Sequence, residues 1–254
     1  MIDLHSHILP NIDDGSSSEA EAITLAEMAV AEGITKIVAT PHHKNNKYEN
    51  KKSTIIEAVN TLNHTLNEVD INLEVLPGQE NRIYGELIGD FHNGEILPLN
   101  ESKYLFIELP SSHIPRFTKQ LLFDIQLEGM QPIIVHPERN QEIMKHPDRL
   151  YELVKNGTLT QVTAGSVAGK FGKKIKKFSE ELIEANLTHF VASDAHDTVK
   201  RPFNMREAYE QIEQEFGIDT VYLFQENAEL VIENQQVMIE PPNKVKQKKF
   251  FGLF

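Results

Sequence analysis

Seven times along the chain, a short run of β-branched and apolar residues is followed by a segment whose apolar residues recur at helical spacing. That alternation is the sequence form of repeated β–α units on a parallel sheet. The runs are Ile2 to Ser6, Lys36 to Thr40, Leu73 to Leu76, Tyr104 to Glu108, Pro132 to His136, Leu159 to Thr163 and His189 to Ser193. The clearest helix follows the first run: Ile23, Leu25, Ala26, Met28, Ala29 and Val30 recur at helical spacing, a capping box of Ser18 and Glu21 opens it, and Gly33 closes it. Weaker helical patterns lie near Ile55 to Val69, Phe117 to Leu127, Leu150 to Val154, Phe178 to Ile183 and Met205 to Phe216. No linker rich in Pro, Gly or Ser divides the chain, and no internal repeat emerges. The expectation is a single α/β domain of seven units over residues 1–240, and the length of 254 residues suits one barrel of about 250. Arg82 to Asn100 fit no β–α unit and are expected to form an excursion or small hairpin. The final EPPNKVKQKKFFGLF is expected to leave the domain as a basic, aromatic tail, residues 241–254.

Composition narrows the chemistry. Cysteine is absent, which removes disulfides, thiolate metal sites and thiol nucleophiles, so any metal must sit on His, Asp and Glu. The 25 Lys and Arg against 38 Asp and Glu give a net charge of −13, which repels nucleic acid and disfavours it as a partner. No apolar run reaches the roughly 18 residues of a membrane span, and the first residues show no signal pattern, so a cytoplasmic protein is expected.

Metal-competent side chains fall at one end of these runs, the C-terminal end, where parallel barrels build their active sites. His5 and His7 close the first run as H-S-H, and an i, i+2 pair on a strand points both imidazoles to one side. Taken alone, that pair is a weak signal. Asp14 follows in NIDDG, which equally reads as a turn using Asp and Gly for their backbone tolerance. His42 and His43 end the second run in TPHH, Glu80 the third in PGQE, Glu108 the fourth in FIELP and His136 the fifth in VHPER; Asp194 and His196 close the seventh in SDAH. Only oxygen and nitrogen donors appear in this set, all of them ligands for first-row metals. His64, His92, His113, His146 and His189 lie elsewhere and read as ordinary surface or core histidines. The stretch GSVAGKFGKK looks superficially like a phosphate loop, but three residues separate Gly165 from Gly169 where that loop needs four, and it is read as a mobile loop.

HSH at the start, then TPH, GQE, VHPER and SDAH in this order, resemble the polymerase-and-histidinol-phosphatase (PHP) superfamily of metal-dependent phosphoesterases. Within it, the HSHILPNIDDG start, the TPHH segment, HPER and the overall length are similar to CpsB/YwqE-type tyrosine phosphatases, which accompany capsule and exopolysaccharide tyrosine kinases. The resemblance implies a distorted TIM-like (β/α)7 barrel. It also implies two or three divalent cations: one on His5, His7, Glu80 and Asp194, a second on Glu80, Glu108 and His136, a third on Asp14, His42 and His196. A mixed nitrogen and oxygen site suits Mn²⁺, with Fe, Zn or Mg as alternatives.

Carried over in the same way, Arg139 and Arg206 would bind phosphate; the resemblance assigns no general acid, for which His43 is a candidate. The implied reaction is hydrolysis of phosphotyrosine on a protein by a metal-activated hydroxide, without a covalent enzyme intermediate. The implied partner is a membrane-associated bacterial tyrosine kinase. The alternatives are a small-molecule phosphatase of the histidinol-phosphate type and a non-catalytic, metal-stabilised regulator of a kinase. Lys244, Lys246, Lys248 and Lys249 ahead of Phe250, Phe251 and Phe254 suit anionic lipid or the kinase itself, which would recruit the protein to the inner face of the membrane.

Overall fold

In the computed structural model, which describes residues 1–246, the runs become the staves of a closed parallel barrel. The strands are β1 (Ile2–Ser6), β2 (Lys36–Ala39), β3 (His42–His43), β4 (Glu74–Pro77), β5 (Glu80–Arg82), β6 (Tyr104–Glu108), β7 (Gln131–Val135), β8 (Leu159–Thr163) and β9 (Phe190–Ala192). They pair in parallel as β1-β2-β4 and as β3-β5-β6-β7-β8-β9. The second and third runs are each interrupted, at Thr40-Pro41 and Gly78-Gln79, so β2 with β3 makes one stave and β4 with β5 another. Pro41 has no N–H to give a ladder, but its carbonyl accepts from Glu80 N at 3.1 Å and carries the pairing across the gap. The last strand then returns to the first. Asp194 N donates to His5 O and His7 N to Ala195 O, both at 2.8 Å, while Ser193 N and Oγ donate to the buried Asp3 carboxylate at 2.9 and 2.5 Å. Seven staves close one α/β domain, as the alternation predicts.

Strand alternation sorts the side chains into two cores. Along β6, Tyr104 and Phe106 point into the barrel with Leu4, Val38, Ile133 and Phe190, while Leu105 and Ile107 face the surrounding helices. The far end of the interior is plugged by Ala228 and Val231 of helix Ile218–Ile232 and by Val237. Each fully buried side chain of this size contributes roughly 1.5–3 kcal/mol relative to exposure. Glu108 continues the inward face of β6, so a carboxylate ends a row that is otherwise apolar.

Helix Glu19–Ala31 begins as foreseen, with Ser18 Oγ accepting from Glu21 N at 3.2 Å. The reciprocal half of the box is displaced by one residue, because the Glu21 carboxylate accepts from Ser17 N and Oγ. Helix Ile218–Ile232 was not foreseen. Arg82 to Asn100 make the expected excursion, not as a hairpin but as the end of β5, helix Leu87–His92 and a turn. Two expectations need correction. The stretch after β8 is no loop at its start: Ala164–Val167 is a buried helical turn, and Ser166 Oγ donates to Glu138 Oε1 at 2.6 Å. Residues 241–246 stay on the barrel, where Asn243 N donates to Ala185 O, Val245 is buried, Lys244 pairs with Asp148 and Lys246 with Glu184. Lys248, Lys249, Phe250, Phe251 and Phe254 lie outside the described residues. Among the described residues, no helix is long and apolar enough to cross a membrane.

Candidate metal centre

The C-terminal ends of the staves bring all nine foreseen ligands to one mouth of the barrel. β1 slips in register against β2 between Asp3 and Ser6, and after this irregularity consecutive Leu4 and His5 both meet the interior, the His5 ring standing 5.1 Å from Phe106. His136 and Asp194 end their staves with left-handed backbones, φ 37° and 53°, a conformation uncommon outside glycine, though better tolerated by Asp and His than by most residues, and one that clusters at functional sites. Gly15 is required by space: a Cβ there would lie 2.0 Å from His7 O, so the NIDDG turn closes tightly over the first stave.

Glu80, fully buried, is the hub. His136 Nε2 lies 2.8 Å from its Oε1, His42 Nδ1 2.6 Å from its Oε2, and His5 Nε2 and His7 Nε2 lie 3.7 and 3.5 Å from the same carboxylate. Asp194 Oδ1 stands 3.5 and 3.4 Å from the same two imidazoles. Asp14 Oδ1 is 3.3 Å from His42 Nε2 and 3.7 Å from His196 Nε2. Seven of the nine fall into three overlapping groups whose ligand atoms lie within 4.8 Å of one another: His7, Asp14, His42 and His196; His5, His7 and Glu80; His42, Glu80 and Glu108; His136 joins them through Glu80, and Asp194 through the His5 and His7 rings. His42 therefore stands between the Asp14 group and the Glu80–Glu108 pair, and His7 touches two groups, whereas the sequence reading gave each imidazole to one ion.

The donor set fits divalent cations on an observation of its own. His42 Nδ1, Glu80 Oε2, Glu108 Oε2 and His196 Nε2 are buried without a hydrogen-bond partner, even though the first two are only 2.6 Å apart. Unpaired buried polar atoms are costly, and atoms that crowd without hydrogen-bond geometry are aimed at a shared point, as ligands are. The electrostatics agree. Burial opposes the charging of His42 and His7, yet Glu80 and Asp14 push the first up to about 11 and Asp13 the second to about 9. Burial, with Arg139 beside it, takes His136 down to about 4; burial and His7 take His196 down to about 3. Burial and the neighbouring Glu80 raise Glu108 to about 7. Adjacent groups thus hold conflicting charge states, a conflict that cations at the centre would remove.

Three side chains around this centre were not foreseen. Gln161, a buried amide in the middle of β8, meets His5 Nδ1 at 2.9 Å. Asp13 accepts from His7 Nδ1 at 2.6 Å. Arg201 Nη2 donates to Asp194 Oδ2 at 2.6 Å beside Arg139 Nη2 at 2.5 Å, and the two guanidinium groups hold Asp194 well below the usual carboxylate range against the opposing effect of its burial. A polar residue inside a buried strand was the available signal for Gln161.

Two assignments do not hold in space. Arg206 is exposed and turns away, donating to Ala31 O at 2.5 Å at the end of the first helix. His43 alternates to the opposite side of β3 from His42, near Tyr84, and both its ring nitrogens lack a hydrogen-bond partner. Its burial and the Lys44 charge lower its pKa. Beside the metal ligands, a 270 Å³ cavity opens among Ser111, His136, Arg139, Asn140, Asp194 and Arg201.

The family model for capsular polysaccharide synthesis, CpsB/CapC, matches residues 1–233. The chain belongs to the CpsB/CapC family. Along the full length of both chains it is 50% identical to the tyrosine-protein phosphatase YwqE of Bacillus subtilis and 41% identical to the putative tyrosine-protein phosphatase CapC of Staphylococcus aureus. A solved structure from a study of YwqE and of Streptococcus pneumoniae CpsB, described there as unique metal-dependent tyrosine phosphatases, superposes with a TM-score of 0.95 at 50% identity, covering 97% of this chain and 100% of that one. The CpsB/CapC relationship thus spans the whole barrel, including every stave that carries a ligand.

Proposed function

We propose that this CpsB/CapC chain is a metal-dependent protein-tyrosine phosphatase of the PHP type acting in capsule or exopolysaccharide synthesis. The observation that carries the reading is the nine-ligand mouth with its unpaired donors and, beside it, two guanidinium groups. Bound divalent cations, Mn²⁺ suiting this oxygen-rich set, supply Lewis acidity toward a phosphoryl oxygen and toward the water that hydrolyses it. His5, Glu80 and Asp194 would hold one, Glu80, Glu108 and His136 a second, and Asp14, His42 and His196 a third, with His7 placed between the first and the third.

The chain's own residues then bind and orient the substrate. Arg139 and Arg201 flank the cavity, and a guanidinium fork suits the oxygens of a phosphoryl group. Leu109, Val135 and Pro137 line the same cavity and give an aryl ring an apolar wall. Tyrosine leaves with a phenol pKa of about 10, so it needs less protonation than an alkoxide. That matters here because His43, the foreseen proton donor, does not face the centre. The substrate protein is proposed to be a membrane-associated tyrosine kinase met from the cytoplasmic side. Assaying phosphotyrosine peptide, phosphoserine peptide and histidinol phosphate side by side with Mn²⁺ tests the reading. Preference for phosphotyrosine is expected, preference for histidinol phosphate would make this a metabolite phosphatase, and no turnover of any would leave a kinase regulator.

A further inference from the structure

Asp13 contributes no atom to the three ligand groups, yet its side chain is 1% exposed and three N–H donors converge on it. Oδ2 accepts from His7 Nδ1 at 2.6 Å and from His42 N at 3.1 Å, and Oδ1 accepts from Gly15 N at 2.9 Å. Every donor serves the same ligand group, although His7 and His42 also reach the neighbouring ones. His7 and His42 are members, Gly15 holds the turn that presents Asp14, and the fourth member, His196, packs its ring 3.7 Å from that of His7. Gln161 orients His5 in a similar way, but through one amide oxygen and within a different group.

We propose that Asp13 is a positioning residue that assembles the His7, Asp14, His42 and His196 group and thereby sets the affinity of that group for a divalent cation. This rests on the metal-dependent reading above. Donation of Nδ1–H to the carboxylate leaves Nε2 of His7 as the nitrogen directed at the group, which is how an outer partner fixes a metal-binding imidazole. The chemistry demands a carboxylate. An ionised Asp offers lone pairs on both oxygens, enough for three donors, whereas an amide has one oxygen and must turn its NH₂ toward a donor in either orientation. Facing His7 and His42, that NH₂ removes the acceptor that orients the ring; facing Gly15, it opens the turn that carries Asp14.

The full-length Asp13→Asn and Asp13→Ala variants, titrated with Mn²⁺ while free Mn²⁺ is counted by electron paramagnetic resonance, test this. Thermal unfolding of the metal-free proteins serves as the check on folding. Wild type is expected to bind tightly, and both variants to weaken one ion by about 10- to 100-fold while keeping the others, with Asn no better than Ala. A residue that only fills space gives the opposite order, because Asn is isosteric: wild-type binding by Asp13→Asn overturns the proposal. If Asp13→Ala fails to fold, the Asn variant alone decides, loss of one ion at an unchanged melting temperature supporting the role. Absence of tight Mn²⁺ binding by the wild type overturns the metal-dependent reading itself, an outcome distinct from the first.

Discussion

Arg201 reaches Asp194 from five residues beyond the SDAH segment: the loop folds back so that His196 N donates to Arg201 O at 2.9 Å, and the Arg201 guanidinium lies 2.6 Å from Asp194 Oδ2. Arg201→Ala is expected to lower kcat/KM for an aryl phosphate by about 100-fold, the scale of losing one donor to developing charge, with metal content retained. Arg206→Ala should be indistinguishable from wild type. Steady-state kinetics with metal analysis on both variants checks this, and the reverse ranking would return phosphate binding to Arg206.

The choice between these two arginines could not be made from sequence. KRPFNMR holds both in one polar stretch, and only the path of residues 197–204 decides which faces inward. The nine ligands were legible because each ends a run or follows one closely. By contrast β3 and β5 are fragments of two and three residues, polar in composition, so periodicity had nothing to act on. Asp13 was hidden by its own plausibility as a turn residue. Helix Ile218–Ile232 buries Val221, Phe224, Ala228 and Val231 along one face, but the exposed apolar Ile218 and Tyr222 lie off that face and blur the stripe in the sequence.

His189, at the opposite end of β9 from the metal centre, accepts from Thr160 N through Nδ1 at 3.1 Å, and burial takes its pKa from 6.5 down to about 4. Between these values the unfolded chain binds the extra proton and the folded one does not. The contribution is therefore complete above pH 6.5 and is lost as pH falls toward about 4, amounting to about 3 kcal/mol. His189→Asn keeps an acceptor for Thr160 and does not titrate. Urea unfolding at intervals from pH 7 to 4 should show wild type losing stability relative to this variant, and parallel curves would refute the assignment.

Deleting residues 247–254 removes Lys248, Lys249 and three phenylalanines, while Lys244 and Lys246 remain in their pairs with Asp148 and Glu184. Hydrolysis of a small aryl phosphate should be unchanged, because the described barrel is complete without them. Dephosphorylation of a membrane-bound tyrosine kinase should slow if those residues contribute the roughly 1 kcal/mol per lysine available at an anionic surface. Equal slowing of both substrates, or of neither, would remove the tail from recruitment.

The central claim is that the nine converging ligands hold the cations on which phosphotyrosine hydrolysis depends. It is tested most directly by stripping the protein with a chelator, counting residual metal, and following phosphotyrosine peptide hydrolysis as Mn²⁺ is returned. Activity should vanish with the metal, return as two or three ions bind per chain, and be untouched by thiol-alkylating reagents. Full activity in protein shown to be metal-free would contradict the account.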